Sequence, residues 1–407
     1  MRRIKDYIPI VGRDEIEEIT YLAEYVEGAK VVHINSTKFG GGVAEILKSL
    51  IPLANSVGLR AVWEVIEGDS YFFQITKAIH NALQGELSVE LTPEMYQHYL
   101  DVNRVNAEKL DLEGDVVIVH DPQPLPLVEH RRNGKWVWRC HIDMSKPNNS
   151  VWKLLKRFVK KYDLAVFTME RYIPRDFRGR FLIEYPCIDP LSDKNKPLSH
   201  TKILDVLERY DIDPDRPIIG QVARFDKWKN PLGVIDVYKL VKRKVEGIQL
   251  LLIGVFAHDD PEGGEWYRKT LDYADADRDI HILTNNDGVD DIEVNALQRS
   301  LTVALQLSIK EGFGLTVTEA LWKGVPVVAT KVGGIPLQVI DYVTGFLVDD
   351  LKNAAEKTEI LIRRPWLARQ FGRNGFEHVK NNFLITKALK NYLRMHIELV
   401  GLLHIKF

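Results

Sequence analysis

Two glutamates frame a glycine-containing turn in the stretch Glu311-Gly-Phe-Gly-Leu-Thr-Val-Thr-Glu319. An apolar run over 301–308 precedes the turn and predicts a buried strand, and the pattern over 315–323 predicts a helix. Glycines at a strand-to-helix turn let the backbone approach a ligand, and the N–H groups of the first helical turn attract anions. The spacing predicts an anion-binding turn with Glu311 on the loop and Glu319 behind it. For Gly-Phe-Gly alone, a solvated loop is the alternative.

Two basic residues, Arg224 and Lys229, follow a second predicted strand at 218–222. Ligands of α/β sheets bind just beyond the carboxyl ends of the strands, where these two residues are expected. A guanidinium fork and an ammonium point charge are suited to stabilising the negative charge that a departing diphosphate gathers. A solvated basic loop is the alternative interpretation.

The first half of the chain contains a glycine-rich turn, Gly40–Gly42, after an apolar run at 29–35. This turn fails the dinucleotide-binding fingerprint, because Glu45 occupies the third position that must be small. We expect a turn at which the backbone approaches a sugar or a phosphate.

Two predicted strands of the first half, 115–119 and 136–140, end at histidines. His120 is followed by Asp121 and Gln123, and His141 follows the second strand. Both strand ends are expected at one edge of a parallel sheet, so their side chains could face one ligand. A hydrogen-bonded structural histidine is the alternative at each position.

A metal site is the weaker reading of the acidic residues. Asp275-Ala-Asp277 matches the D-x-D pattern of metal-dependent glycosyltransferases of another fold, but it lies in an acidic helix end of a chain with 57 acidic residues. No His/Cys cluster has zinc spacing, and neither a P-loop nor a nucleophile elbow is found. We therefore expect no metal ligands.

The composition indicates a globular protein, since 45% of the 407 residues are hydrophobic and 28% are charged. A net charge of −2 leaves no basic excess for nucleic acid. The two cysteines, Cys140 and Cys187, provide no disulfide framework and favour a reducing compartment. No apolar stretch reaches the roughly 18 residues of a membrane span, and the N-terminus lacks a signal peptide. We expect a soluble cytoplasmic protein with neither nucleic-acid nor membrane partners.

Predicted strands alternate with helices in two successive series, which indicates an α/β protein with doubly wound parallel sheets. The segment Pro186–Ser192 breaks the alternation. We therefore expect one domain at 1–192, joined by a returning helix at 386–407, and a second domain at 193–385. The expected strands are 29–35, 61–66, 115–119, 136–140, 164–168 and 181–185, then 218–222, 249–253, 279–283, 301–307, 325–329 and 345–348.

With these motifs in this order, essentially the whole chain resembles the GT4 family of retaining nucleotide-sugar glycosyltransferases, which have the GT-B fold. Within that family it is most similar to the trehalose glycosyltransferring synthases, which make trehalose from an NDP-glucose and free glucose. The segments that carry this resemblance are Val32–Thr37, Gly40–Glu45, His80–Gly85, Val119–Pro124, Trp138–Asp143, Ala257–Gly263 and Glu311–Glu319.

The resemblance implies two Rossmann-like domains that face a cleft, with the last helix crossing back to the first domain. It assigns His141 to the hydroxyls of the donor sugar, Asp121 to the acceptor side, Glu311 to the donor glucose and Glu319 to the ribose. The implied site residues are catalytic Glu311, Arg224, Lys229, His141 and Asp121; donor-binding Gly41, Gly42, Arg224, Lys229, Leu315, Thr316, Val317 and Glu319; and acceptor-binding Asp121, Gln123 and Asn35.

The implied reaction retains the anomeric configuration and needs no metal, with Mg²⁺ at most a counter-ion of the nucleotide. The expected substrates and product are UDP-, ADP- or GDP-glucose, free glucose and trehalose; the choice of base and a homodimer remain open. The loops of the first half supply neutral and anionic groups suited to sugar hydroxyls, and few cations for a phosphorylated acceptor. A trehalose phosphorylase is the main alternative. A GT4 transferase with another acceptor, an epimerase and a non-catalytic sugar-binding protein are the others.

Overall fold

The computed structural model describes residues 2–39, 41–254 and 261–401, and the side chains from 263 onward in the last range. Gly40 of the predicted glycine turn, residues 257–260 of the family resemblance and residues 402–407 of the predicted last helix lie outside the described residues. Within the described ranges, no helix has the length and apolar character needed to cross a bilayer.

The contacts divide the chain into two compact units, Met1–Cys187 with Ile385–Phe407, and Ile188–Leu384. The division thus falls after Cys187, whereas the sequence placed it after Ser192. The physical reason is local: the Ile188 N–H donates to the Phe383 carbonyl at 2.9 Å, and Ile188 forms a parallel bridge with Leu384. These bonds tie the chain after Cys187 to the second unit.

The first unit is built on a six-stranded parallel sheet in the order β2-β1-β3-β4-β5-β6. Its central strands β1 and β3 are mostly apolar and are buried almost throughout, as expected for a parallel sheet covered on both faces. The strands are β1 Lys30–Asn35, β2 Arg60–Val65, β3 Val116–His120, β4 Lys135–Cys140, β5 Leu164–Phe167 and β6 Phe181–Ile183.

The second unit contains another six-stranded parallel sheet, in the order β12-β11-β10-β7-β8-β9. The strands are β7 Ile218–Val222, β8 Gln249–Gly254, β9 Ile280–Thr284, β10 Val303–Gln306, β11 Val327–Thr330 and β12 Gly345–Val348. The predicted α/β class and all twelve predicted strands are confirmed, with ends that differ by at most two residues.

Helices connect the strands and cover the sheets. Several begin at a side chain that accepts a backbone N–H, among them Asp69, Thr92, Asn148 and Ser199. The helices are α1 Ile8–Val11, α2 Arg13–Glu24, α3 Gly42–Ser56, α4 Ser70–Leu83, α5 Pro93–Lys109, α6 Asn149–Val159, α7 His200–Arg209, α8 Pro231–Lys242, α9 Pro261–Ala274, α10 Asp291–Arg299, α11 Leu315–Trp322, α12 Ile335–Gln338, α13 Leu351–Arg363, α14 Pro365–Asn382 and α15 Ile385–Leu399.

The last described helix, α15, belongs to the first unit and packs on α2 and α3, as predicted for a returning helix. Its Lys390 side chain is only 6% exposed and bonds to the carboxylates of Glu15 and Glu18 of α2. Arg394, one turn further on, also pairs with Glu18. This cluster fixes the register of α15 on the first unit.

Replacing Lys390 by Met should lower the stability of the first unit, since Glu15 loses its bond to Lys390 and Glu18 is left with Arg394 in a partly buried position. We expect a loss of about 2 kcal/mol, which corresponds to a fall in Tm of roughly 4–8 °C. The measurement is differential scanning calorimetry. Lys161→Met is the matched control: Lys161 pairs with Glu129 at 2.6 Å but is 50% exposed, so its removal should change Tm very little. Equal shifts in the two variants would contradict this account of the cluster.

Candidate active site

In the second sheet, chain order reverses between β7 and the neighbouring strand β10. In doubly wound sheets, ligands bind beyond the carboxyl ends of the two strands at such a switch point, because their loops diverge there and leave a crevice. The loop after β7 carries Arg224 and Lys229, and the loop after β10 carries Glu311. The topology therefore brings these three predicted residues to one edge of the second unit.

Lys229 and Glu311 form the central ion pair of this edge. The Lys229 ammonium lies 2.5 Å from Oε2 of Glu311, and their side chains are 17% and 8% exposed. Gln306 Nε2 and Ser308 Oγ lie 3.2 and 3.3 Å from the same oxygen and donate to it. Three donors on one carboxylate oxygen fix the position of Glu311 and, with it, that of the Lys229 ammonium.

Asp226, which the sequence reasoning did not single out, organises the basic loop. Its carboxylate is buried and accepts the backbone N–H groups of Trp228 and Lys229 at 2.8 and 3.0 Å. Its second oxygen lies 3.4 Å from the guanidinium of Arg224, whose side chain is 58% exposed. Asp226 thus holds the guanidinium of Arg224 close to the loop, while more than half of the Arg224 side chain remains exposed to solvent. An Asp two residues after an Arg in a turn was the signal available in the sequence.

A pair of glycines, Gly333 and Gly334, supports the loop of Glu311 and was also missed. A Cβ on Gly333 would lie 1.8 Å from the Glu311 carbonyl oxygen, and the Gly334 N–H donates to the Gly312 carbonyl at 2.8 Å. The close approach of the two backbones requires glycine at position 333. Consecutive glycines after a predicted strand were the available signal.

Helix α11 begins directly after Gly314, which adopts a left-handed conformation with φ of 86°. No side chain caps this helix end, so its first backbone N–H groups point toward the loop. Leu315 and Thr316 occupy the first two positions. The N–H of Val317, also predicted to bind the donor, already donates to the Gly314 carbonyl at 2.9 Å. Of the three N–H groups predicted to bind the donor, that of Val317 is therefore engaged within the turn.

Glu319 lies in the same helix and is 9% exposed. Lys323, one turn further on, donates to Asn195 and Gln298 at 2.9 and 2.8 Å. Burial lowers the pKa of Lys323 to about 7, although the negative charge of Glu319 opposes that shift. Lys323, which sequence reasoning did not find, thus also donates to the Glu319 carbonyl at 3.3 Å.

The first sheet has its own switch point between β1 and β3, and the residues predicted in the first half gather there. Asp121, immediately after β3, has a positive φ of 63°. In this conformation its carboxylate accepts the backbone N–H of His141 at 2.8 Å. Burial raises the pKa of Asp121 to about 6, against the stabilising bond from His141 and the charge of Arg139. Asp121 therefore fixes His141 at the end of β4.

Gln123 and Asn35, the two amide side chains predicted to bind the acceptor, differ in their surroundings. Gln123 Oε1 is buried and, among the described residues, has no hydrogen-bond partner. The Asn35 amide, by contrast, accepts from Trp63 and donates to the Thr37 carbonyl, both at 2.8 Å. Asn35 thus shapes the loop after β1, whereas Gln123 retains a buried acceptor that no described residue satisfies.

The glycine turn of the first half leads into α3. Gly41, with φ of 82°, caps the helix without a side chain, and Gly42 is its first residue. A pocket of the first unit lies near this helix and His141, and its lining includes Val43, Arg139 and Tyr392. The two units thus each carry polar groups at the carboxyl edge of a sheet.

The D-x-D match has a structural explanation in the second unit. The carboxylate of Asp277 accepts from the Lys242 ammonium at 2.8 Å and from the Tyr238 hydroxyl at 3.2 Å. Over residues 2–39, 41–254 and 261–401, no group of three or more His, Cys, Asp or Glu residues is arranged to hold a metal ion.

Two family models match the chain. The trehalose synthase N-terminal domain matches residues 33–174, and the glycosyl transferases group 1 domain matches residues 205–378. Solved structures of similar fold include a sucrose-phosphate synthase from Thermosynechococcus elongatus, with a TM-score of 0.71 over 92% of this chain and all of that one, at 16% identity. An α,α-trehalose 6-phosphate synthase from Burkholderia multivorans gives 0.71 over 92% and 99%, at 15% identity. These similarities confirm the GT-B fold class.

Relatives of similar sequence extend over the whole chain. It is 53% identical to a trehalose synthase of Thermococcus litoralis over 96% of both chains. It is 46% identical to a trehalose synthase of Rubrobacter xylanophilus over 98% of both. A trehalose phosphorylase of Grifola frondosa is 30% identical over 88% of this chain and 55% of its own length. The chain therefore belongs to the trehalose synthase family of glycosyltransferases.

Proposed function

We propose that this protein transfers glucose from an NDP-glucose to free glucose, with retention of configuration and without a metal ion, to give α,α-trehalose. The observation that carries the proposal is the Lys229–Glu311 pair beside Arg224 at the switch point of the second sheet. Full-length similarity to trehalose synthases supports the choice of acceptor and product.

The donor diphosphate would bind between Arg224, Lys229 and the first N–H groups of α11. As the glycosidic bond breaks, the bonding electrons pass to the diphosphate oxygen, and the two cations stabilise the added charge. Their positions are set before the reaction by Asp226 and Glu311. Such a pair of fixed cations performs the neutralisation that a metal ion performs in other transferases, which is why we propose a metal-independent reaction.

We assign Glu311 a positioning role, not that of a covalent nucleophile. Its Oε2 accepts from Lys229, Gln306 and Ser308 and so holds the ammonium at the site of the diphosphate. Oε1 makes none of these bonds and can accept from a hydroxyl of the donor glucose. We therefore propose front-face transfer: the acceptor hydroxyl forms the new bond on the face that the diphosphate leaves, and its proton passes to a phosphate oxygen.

The acceptor would bind to the first unit, near Asp121 and Gln123. The strongest cation of this edge, Arg139, is only 1% exposed, and its guanidinium donates to the carbonyls of Cys140, Val166 and Glu184. Arg139 is thus engaged by backbone carbonyls in and beside the sheet. A neutral acceptor fits these groups better than a sugar phosphate, since Asp121 would repel the phosphate.

The acceptor can be tested by supplying UDP-, ADP- and GDP-glucose with glucose, glucose 6-phosphate or fructose in turn. We expect the highest kcat/KM with free glucose, and trehalose as the product by chromatography. A higher kcat/KM for glucose 6-phosphate would contradict the proposal. Incubating trehalose with inorganic phosphate tests the phosphorylase alternative, which requires glucose 1-phosphate to appear.

The two cations are tested by Arg224→Ala and Lys229→Ala. Each should lower kcat by roughly a hundredfold or more, because removing one preorganised donor to a developing charge costs about 3 kcal/mol. The donor KM should rise as well, since the ground-state diphosphate is already charged. Lys227→Ala is the matched control: Lys227 is an exposed lysine of the same loop and lies over Trp228. Wild-type kinetics for all three variants would contradict the proposal and would show that Arg224 and Lys229 belong to a solvated basic loop with no role in turnover.

Glu311 and Glu319 should separate in steady-state kinetics. Glu319→Gln should raise the donor KM by roughly tenfold with a smaller change in kcat, because a ribose contact is made equally in the ground and transition states. Glu311→Gln should lower kcat strongly, since it releases Lys229 as well as the sugar contact. Indistinguishable profiles for the two variants would show that the proposed division of roles is wrong.

A further inference from the structure

Three histidines form a hydrogen-bonded row across the first sheet. His33 lies in β1, His120 ends β3 and His141 follows β4, and these strands are neighbours in the order β1-β3-β4. His33 Nδ1 lies 3.1 Å from His120 Nε2, and His120 Nδ1 lies 3.2 Å from His141 Nε2. The rings stack, with centroids 5.4 and 5.5 Å apart. The row therefore connects His141 to a residue deep in the core.

The surroundings keep all three rings neutral. His33 and His120 are each 3% exposed. Burial lowers the pKa of His33 to about 3, with a further contribution from His396. Burial, together with the charge of Arg139, also holds the pKa values of His120 and His141 well below the ordinary range. Each ring thus carries one proton on one of its two nitrogens.

The charged and titratable groups packed around the row come from several elements. They are Arg139 of β4, Asp121 after β3, Glu184 after β6, and Tyr392 and His396 of α15. Arg139 is the cation of this set, and it disfavours protonation of the rings. The hydrogen bonds of the row therefore decide which nitrogen of each neutral ring carries the proton.

Two such bonds between neutral rings permit only two arrangements. If His141 donates from Nε2, His120 must be bare at Nδ1 and donate from Nε2. His33 must then be bare at Nδ1 and carry its proton on Nε2. In the opposite arrangement every ring carries its proton on Nδ1. Because the row engages Nε2 of His141, the Nδ1 atom is left to meet a ligand, as an acceptor in the first arrangement and as a donor in the second.

We propose that His120 and His33 are positioning residues that set which tautomer His141 presents to the donor sugar. This inference rests on the proposed function and on the role that the family resemblance implies for His141, which is contact with a hydroxyl of the donor sugar. The row acts on His141 through its hydrogen bonds, while Asp121 fixes the backbone of the same residue. His33 lies in the core and touches no substrate in this scheme. It nevertheless affects turnover, because it is hydrogen-bonded to His141 through His120.

The first test needs neither substrate nor variants with activity. Nitrogen-15 NMR of the full-length protein, labelled at histidine and measured near pH 7.5, reports the protonated nitrogen of each ring. We expect His33, His120 and His141 to be neutral and to share one tautomer. Different tautomers among the three rings, or a charged ring, would overturn the proposal whatever the enzyme makes.

The second test compares two substitutions of His33. His33→Phe keeps a flat ring but removes its nitrogens, whereas His33→Asn retains a polar atom near the position of Nδ1. We expect His33→Phe to lower kcat by roughly ten- to a hundredfold, as when the outer partner of a ligand-holding histidine is lost, with the donor KM nearly unchanged. His33→Asn should restore most of the loss. Wild-type turnover in His33→Phe, or equal losses in both variants at equal Tm, would contradict the proposal. Absence of trehalose from the wild-type protein would instead refute the proposed function.

Discussion

The ion pair between Lys229 and Glu311 is the interaction on which the organisation of the second unit depends. An ammonium and a carboxylate that are both largely removed from water are stable only when their geometry is fixed and their remaining bonds are satisfied. Gln306 and Ser308 satisfy the carboxylate, and the Asp226 turn fixes the backbone of the lysine. All of this requires β7 and β10 to be neighbours, which is a consequence of the strand order. The fold and the charge pair therefore support each other.

The first unit meets a different constraint, the burial of polar groups at the carboxyl edge of its sheet. Asp121 adopts a left-handed backbone conformation that few non-glycine residues occupy, and the bond to the His141 N–H compensates for it. The histidine row and the carbonyl-bonded Arg139 are further cases in which buried polar groups satisfy one another. Such networks have few alternative arrangements and so hold His141 in one place.

The strands could be predicted because each is a short apolar run that ends at a polar or glycine-containing turn. Their carboxyl ends then indicated where Arg224, Lys229, Glu311 and His141 would lie. The supporting residues could not be found in this way. Gly333 is far from Glu311 in sequence, and its role depends on two backbones that approach in space. From the sequence, His33 is a single polar residue in a predicted buried strand. Only the strand order β1-β3-β4 shows that it lies beside His120. The division after Cys187 depends likewise on long-range bonds to Phe383 and Leu384.

The most direct test of the central claim is the stereochemistry of the product. The protein would be incubated with an α-configured NDP-glucose and glucose, both labelled with carbon-13 at C1, in the presence of excess EDTA. Retention without a metal predicts α,α-trehalose, whose two equivalent glucose units give a single anomeric carbon signal. Two anomeric signals from an α,β-linked product, or no disaccharide until a divalent metal is restored, would contradict the account.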